Sequence, residues 1–290
     1  MNTIIIHIFP HEIDNYRRVV NQILNVCDLN NIRDIKIDSI LNINDGVIKN
    51  NDNIINVMKE YNKTNNRSVG ITSSITNEYF GVNEHRRECI ERASPHDSLI
   101  FLDVDLHFND NTITNMLGAS ETIKRDNFNY IITPQLVRLW DTTWDCLVNQ
   151  LYLKNPTGMC ENVDIQKILK TNHGDSRITK CPKFKWAGGW FTCISARLAK
   201  YIGIPKSFVG YGPDDTFMMY CCDYMKENGI PVQQYILENN IVCEDRTLIK
   251  HNKKNFKINN FRKKSEMLLT SEYNNFKKRI NQDIYKNNES

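Results

Sequence analysis

Two acidic clusters carry the chemistry that this sequence suggests. Asp103 and Asp105, separated by Val104, follow the apolar run Ser98-Leu-Ile-Phe-Leu102, and Asp214 and Asp215 follow the turn Gly210-Tyr-Gly-Pro213. Two carboxylates one residue apart at a strand end reach into one crevice once the chain leaves extended geometry. Beside a nucleoside diphosphate they add repulsion unless a divalent ion sits between. Hard oxygen ligands of this kind suit manganese or magnesium, which keep waters and take phosphate oxygens as further ligands. An isolated Asp-x-Asp is more often a polar turn closing a strand. Its place at the carboxyl end of a buried strand, where open α/β sheets bind ligands, favours the chemical role. Asp214 and Asp215 open a helical pattern, where the helix dipole favours carboxylates, so a cap is the plain alternative. A positioned carboxylate is also what a weakly nucleophilic hydroxyl needs in order to lose its proton during attack.

Upstream of the second cluster lies Trp186-Ala-Gly-Gly-Trp190, in which Gly188 and Gly189 permit a close backbone approach that side chains would block. Trp186, Trp190 and Tyr211 offer flat apolar faces on which the C–H surface of a sugar can stack; core packing explains any one of them equally well.

These residues need a frame, and the first half of the chain supplies an alternating one. Thr3 to Phe9, Ile35 to Ile43, Val69 to Ser73 and Ser98 to Leu102 read as strands. Between them, helical spacing recurs in Ile13, Tyr16, Val20, Ile23, Leu24 and Cys27, then over Asn53 to Lys63 and Val82 to Ala93. A helix near Asn111 to Lys124 and a strand from Tyr130 to Leu136 follow. Such βα repetition predicts an α/β fold with a mostly parallel central sheet covered by helices on both faces. Lys154 to Pro182 shows little periodicity and reads as a long loop. Asp214 to Lys226 reads as a helix, Val232 to Leu237 as a strand, and the chain from Ser265 as a polar, basic helix or tail.

Composition sets bounds on partners. A formal net charge of +3 over 290 residues does not suggest a nucleic-acid binder. Lys250, Lys253, Lys254, Lys257, Arg262, Lys263 and Lys264 crowd one stretch; a solvated tail explains them, and peripheral contact with phosphates or an anionic membrane surface is the functional reading. No stretch reads as a signal peptide or membrane span, which predicts a soluble, cytoplasmic protein. The 9 cysteines form no zinc-type spacing, and Cys193 and Cys221 read as small core residues.

With these residues in place a resemblance appears. Ser98-Leu-Ile-Phe-Leu-Asp-Val-Asp-Leu-His107 resembles the DxD strand of GT-A glycosyltransferases, particularly the β-1,4-galactosyltransferase and chondroitin-type N-acetylgalactosaminyltransferase branch. The ordered series Gly188-Gly189, Tyr201-Ile-Gly-Ile-Pro205 and Gly210-Tyr-Gly-Pro-Asp-Asp215 is similar to that branch's Gly-Gly loop, turn and Gly-Trp-Gly-Gly-Glu-Asp motif, with Pro213 where Gly is usual and Asp214 where Glu is usual. The resemblance implies a GT-A, Rossmann-like, single-domain fold over residues 1–260, with a nucleotide-sugar half (1–136) and an acceptor and catalytic half (137–260), then a basic polar extension (261–290). It implies Asp105 as a manganese ligand, with Asp103 shared between metal and donor, and His251 completing the metal site; His107 competes for that place. It implies donor contacts from Arg86, which otherwise reads as a surface arginine beside Arg87 and Arg92, and from Pro10 and His11 after the first strand. Asp215 becomes the catalytic base, and Asp214, Tyr211, Trp186, Gly188, Gly189 and Trp190 line the acceptor site. The implied activity is transfer of a hexose from a UDP-sugar to a hydroxyl of a glycan, glycoprotein or glycolipid, with inversion. A retaining transferase, a sugar nucleotidyltransferase and a silent carbohydrate-binding relative are the alternatives; Phe9 to Tyr16 contains no glycine, which speaks against the second.

Overall fold

The computed structural model describes residues 1–42, 52–63, 69–76, 81–126, 129–137, 164–182, 184, 191–210, 212–244 and 258–288. In chain order the elements are β1 (Asn2–Ile8), a 3-10 turn (Pro10–Glu12), α1 (Ile13–Leu29), β2 (Ile35–Asn42), α2 (Asp52–Lys63), β3 (Val69–Thr76), α3 (Val82–Arg92), β4 (Ser98–Leu102), β5 (Leu106–Phe108) and α4 (Asp110–Asp126). There follow β6 (Tyr130–Val137), α5 (Ile165–Lys170), β7 (Arg177–Lys180), β8 (Phe191–Ser195), α6 (Ala196–Ile202), α7 (Asp214–Glu227), β9 (Gln233–Glu244) and α8 (Ile258–Asn288).

The strands form one sheet in the order β3-β2-β1-β4-β8-β6-β9-β5, with β7 also on β9. β3, β2, β1 and β4 are mutually parallel, as the alternating pattern predicts. β8 then enters antiparallel between β4 and β6. β6 and β9 are parallel again, while β5 and β7 run against β9. The sheet is therefore mixed. Its antiparallel insertion has no counterpart in the sequence pattern, because the apolar run Phe191-Thr-Cys-Ile-Ser195 is buried at every position and carries no sign of direction.

The central strands are buried on both faces, which explains why they read as unbroken apolar runs. On one face Ile4, Ile6 and Ile8 of β1 join Tyr16, Val20 and Ile23 of α1. On the other, Ile5 joins Cys89 and Ile90 of α3, with Leu99 and Phe101 of β4. Burial of each such side chain contributes about 1.5–3 kcal/mol, so β1 is anchored from both sides. The Cys193 and Cys221 side chains are core residues as expected, each 0 % exposed.

Two stretches differ from expectation. Residues 164–180, expected to be loop, hold α5 and β7; all four β7 residues are exposed, so its sequence has no apolar period to show. The C-terminal stretch, expected to be a polar helix or tail, is a helix, and it has an unexpected apolar side. Phe276 and Ile280 of α8 are buried in the same cluster as Phe217 and Cys221 of α7, with Leu269, Tyr273 and Ile284 against it. None of the described helices is long and apolar enough to cross a membrane.

Candidate active site

Helix α3 joins the two acidic clusters. At its start Glu84 accepts hydrogen bonds from Gly81 N at 3.0 Å and from Gly210 N at 3.0 Å, while Asn83 N donates to Gly210 O at 3.1 Å. Further along the helix, Arg87 donates to the carbonyls of Ile204 (2.9 Å), Pro205 (2.7 Å) and Phe208 (2.8 Å). The loop before α7 is thus laced to α3 along its length. Its glycines serve that approach. Gly210 has φ 67, in the left-handed region, and a Cβ on Gly81 would lie 2.1 Å from Gly210 Cα. A Cβ on Gly212 would lie 2.4 Å from the Asn83 amide nitrogen.

Beside Arg87 on α3, Arg86 is only 6 % exposed. It is therefore not the surface arginine of the plain alternative. Its Nη1 donates to Asp214 Oδ2 at 2.8 Å and its Nη2 to Asp103 Oδ1 at 3.3 Å, and the guanidinium lies 4.9 Å from the Phe101 ring centroid. One buried cation ties the end of β4 to the first turn of α7. Asp214 is itself buried and held by Arg86; Asp215, the next residue, is half-buried, its Oδ1 accepting from Thr216 N at 2.6 Å.

Negative charge outweighs positive here. Burial pushes the Asp103 carboxyl up to about 8; Arg86 opposes the rise, while Asp105, Asp215 and Asp214 add to it. A side chain 35 % exposed keeps some water, which tempers that shift. Glu12, in the 3-10 turn after β1, is likewise raised to about 8, by burial first, with the Phe9 N–H opposing and Asp105 and Asp103 adding. Glu12 accepts that Phe9 N–H at 2.8 Å. Sequence reasoning misses Glu12; its signal is its place on the first loop beyond the carboxyl edge of the sheet, next to Pro10 and His11. A group of carboxylate oxygens in excess of the cations facing them is the donor set that a hard divalent ion fits. Asp103 and Asp105 offer such oxygens, while the group of three ligand atoms that converges within 4.8 Å among the described residues is a different one, Asp38, His85 and Cys89.

The remaining candidates fall as follows. Pro10 opens the 3-10 turn, and His11 stacks on Phe9 with ring centroids 6.0 Å apart. His107, half-buried on β5, lies opposite Cys243 of β9. His251, Tyr211, Trp186, Gly188, Gly189 and Trp190 lie outside the described residues, as do Lys250, Lys253, Lys254 and Lys257.

Near the acidic cluster, on the same helix, sits a second polar group that sequence reasoning misses. His85 Nε2 is 3.0 Å from Asp38 Oδ1 on β2, and Asp38 Oδ2 also meets Lys36 at 2.9 Å and Arg92 at 3.5 Å. Burial opposes ionisation of Asp38, but His85 and Lys36 overcome it and hold its pKa below the ordinary value. Asp38, His85 and Cys89 have ligand atoms within 4.8 Å of one another, close enough for a metal. Arg92 Nη2, however, is 3.4 Å from Cys89 Sγ as well as 3.5 Å from Asp38, so a guanidinium already bridges this group and Lys36 completes its charge balance. It is an ion-pair cluster. On α3 and β1, both ring nitrogens of His7, Nδ1 of His85 and the side-chain amide of Asn83 are buried without a hydrogen-bond partner among the described residues. The His7 and His85 ring centroids are 6.1 Å apart. Burial, chiefly, lowers the His7 pKa to about 3, so that ring is neutral. Unpaired buried polar atoms are rare in proteins.

No protein-family model matches the chain, and no curated protein does. Solved structures do. GalNAc-T7, solved with UDP, GalNAc and Mn2+, gives a TM-score of 0.52 at 11% identity, over 84% of this chain and 43% of that one. TarS 1-349 of S. aureus in complex with UDP-GlcNAc gives 0.46 at 10% identity, over 84% of this chain and 58% of that one. A mycobacterial protein gives 0.47 at 11% identity, over 84% and 67%. This chain spans less than half the length of GalNAc-T7 (43%). The fold, an α/β arrangement whose mixed, mostly parallel sheet is flanked by helices, matches GT-A glycosyltransferase structures. At this identity the likeness is one of fold and does not select a branch.

Proposed function

We propose that the chain is a divalent-cation-dependent glycosyltransferase that moves a hexose from a nucleotide-sugar, of the UDP class, to a hydroxyl of a glycan, glycoprotein or glycolipid, with inversion. The observation that carries this reading is the double contact of Arg86 with Asp103 and Asp214, which brings an acidic strand end and an acidic helix start to one place.

In this reading Asp105 and Asp103 hold a manganese or magnesium ion, with His251 or His107 as a further ligand. When bound, the ion offsets negative charge on the departing diphosphate. Arg86 keeps Asp103 and α7 in register on the donor side, where Pro10 and His11 face the nucleotide. Asp215 takes the proton of the acceptor hydroxyl, and a base opposite the leaving group suits a single displacement. Asp214 steadies that turn, and Tyr211, Trp186, Gly188, Gly189 and Trp190 form the acceptor side. The unpaired atoms of His7, His85 and Asn83 support a polar ligand nearby.

The test is a screen of nucleotide-sugars with and without Mn2+, read by thermal shift and by slow donor hydrolysis. A UDP-sugar together with Mn2+ should raise Tm, because a ligand bound only by the folded chain stabilises it by mass action. If no nucleotide-sugar produced a shift or turnover with any divalent ion, the reading would be lost.

A further inference from the structure

The sheet leaves β5 at one end of its strand order, paired with β9 along one edge. Peptide groups on its other edge need partners that a strand would otherwise supply. Helix α1 takes that place. Arg18 Nη2 donates to Val104 O at 3.0 Å and to Leu106 O at 2.8 Å. Gln22 Nε2, one turn along, donates to Phe108 O at 2.9 Å and to Asp110 Oδ1 at 2.8 Å. Three alternate carbonyls are therefore held by two side chains at i and i+4 of a single helix.

The side chains of the same three residues are fixed from within. Val104, Leu106 and Phe108 are 1 %, 0 % and 4 % exposed and belong to the cluster that α1 and α4 cover. The intervening Asp103, Asp105 and His107 are the half-buried ones. A segment pinned alternately by packing and by its carbonyls cannot roll, and the direction in which its other side chains leave the backbone is set with it.

We infer that Arg18, with Gln22 beside it, is a positioning residue for the divalent-cation site: it fixes the peptide between Asp103 and Asp105, and so the aim of their carboxylates. This rests on the proposed assignment of Asp103 and Asp105 as cation ligands. Positioning and simple electrostatics give opposite signs here. A positive charge near a cation site repels the cation, so removing it would tighten binding; loss of a clamp on the ligand-bearing peptide loosens it.

The experiment is titration of the full chain with Mn2+ in the presence of UDP, following free Mn2+ by its electron paramagnetic resonance signal. Arg18→Met should weaken Mn2+ binding by about 10- to 100-fold, the range seen when a group orienting a metal ligand is removed. Gln22→Leu should weaken it in the same direction but less, and serves should the arginine variant fail to fold. Arg18→Lys should also weaken it, since a compact hydrated ammonium does not reproduce the guanidinium's reach to both carbonyls. Leu198→Ala, in α6 and buried in the other hydrophobic cluster, should lower Tm and leave affinity unchanged. Tighter or equal Mn2+ binding in Arg18→Met, or full recovery in Arg18→Lys, would overturn the clamp alone. Failure of the unaltered chain to bind Mn2+ would sink the cation-site reading and the clamp together.

Discussion

Arg86 Nη1 meets Asp214 Oδ2 at 2.8 Å, joining residues 128 apart in sequence, with side chains only 8 % and 5 % exposed. Removing one member of such a pair leaves a charge buried without compensation. Arg86→Met should therefore cost about 3–5 kcal/mol of unfolding free energy, as breaking buried pairs does. Urea denaturation measures this directly. The double variant Arg86→Met with Asp214→Asn should recover part of the loss, because the stranded carboxylate is gone. A single variant within experimental error of the parent would show that α3 and α7 are held together by packing alone.

The acidic cluster also predicts a stability profile with a defined sign. Asp103 is raised from 3.8 to about 8, and Glu12 from 4.5 to about 8. Between those limits the folded chain binds protons that the unfolded chain has released, so stability falls as pH rises. His7, lowered from 6.5 to about 3, acts oppositely, and its contribution grows with pH up to 6.5 and then stops. His85 is lowered too, burial being the main cause, and adds in the same sense. Of these four groups, the two carboxyls are the ones still acting above pH 6.5, and buried cysteines such as Cys193, raised by burial, add in the same falling sense toward the top of the range. Without divalent cations, Tm should decline from pH 6.5 to about 8, and Mn2+ should reduce the decline by favouring the carboxylates. Scanning calorimetry across that interval, with and without Mn2+, checks both; a Tm that rises through it contradicts the charge excess around Asp103.

The frame of this site is more legible in the sequence than its wiring. β1, β2 and β4 announce themselves because they are buried almost throughout, and α1 because it carries one apolar stripe, whereas edge strand β3 is buried only at intervals and the buried side of α3 mixes Val82, Cys89 and Ile90 with Asn83, His85 and Arg86. The acidic pairs at Asp103 and Asp214 can be seen for the same reason: both stand just where such periodic segments begin or end. Arg86 cannot be told from Arg87 or Arg92 by spacing, since burial of one arginine among several depends on what α7 brings to it. Glu12 is hidden for a related reason, as a 3-10 turn of Pro10–Glu12 has no period to read. β8 gives no hint of running antiparallel, and β7, exposed at every residue, gives no hint of being a strand. Asp38, His85 and Cys89 converge through the β1–β2 register and the seating of α3, which no local pattern encodes.

Two glycines separate close approach from backbone freedom. Gly81 has φ -89, which any residue adopts, yet a Cβ there would lie 2.1 Å from Gly210 Cα. Gly81→Ala should destabilise the chain by about 1–3 kcal/mol through overpacking of backbone on backbone. Gly118, inside α4, is the contrasting case, since a Cβ added there would have nothing within 4 Å. Gly118→Ala should stabilise by about 0.4–1 kcal/mol, because helix entropy favours alanine. Measured side by side in urea, the two changes should carry opposite signs; a neutral Gly81→Ala would mean that α3 and the loop before α7 are not in contact through that glycine.

Asp215→Asn tests the chemistry most directly. Asparagine keeps the size of the side chain and an oxygen able to accept from Thr216 N, the contact that Asp215 Oδ1 makes at 2.6 Å. Loss of a negative charge from the first turn of α7 should cost only about 0.3–1 kcal/mol of helix-dipole stabilisation. Donor binding, read as the thermal shift with Mn2+ and a UDP-sugar, should stay near the parent value, because the proposed donor contacts lie at the β4 end and the loop after β1. Transfer should fall by about 100- to 10,000-fold, the usual share of a positioned general base. Weakened donor binding would instead move Asp215 to the donor side. The product's anomeric configuration, read by NMR, supplies an independent check: a single displacement inverts that centre, and a product of retained configuration would remove the base role from Asp215 even if the variant were inactive.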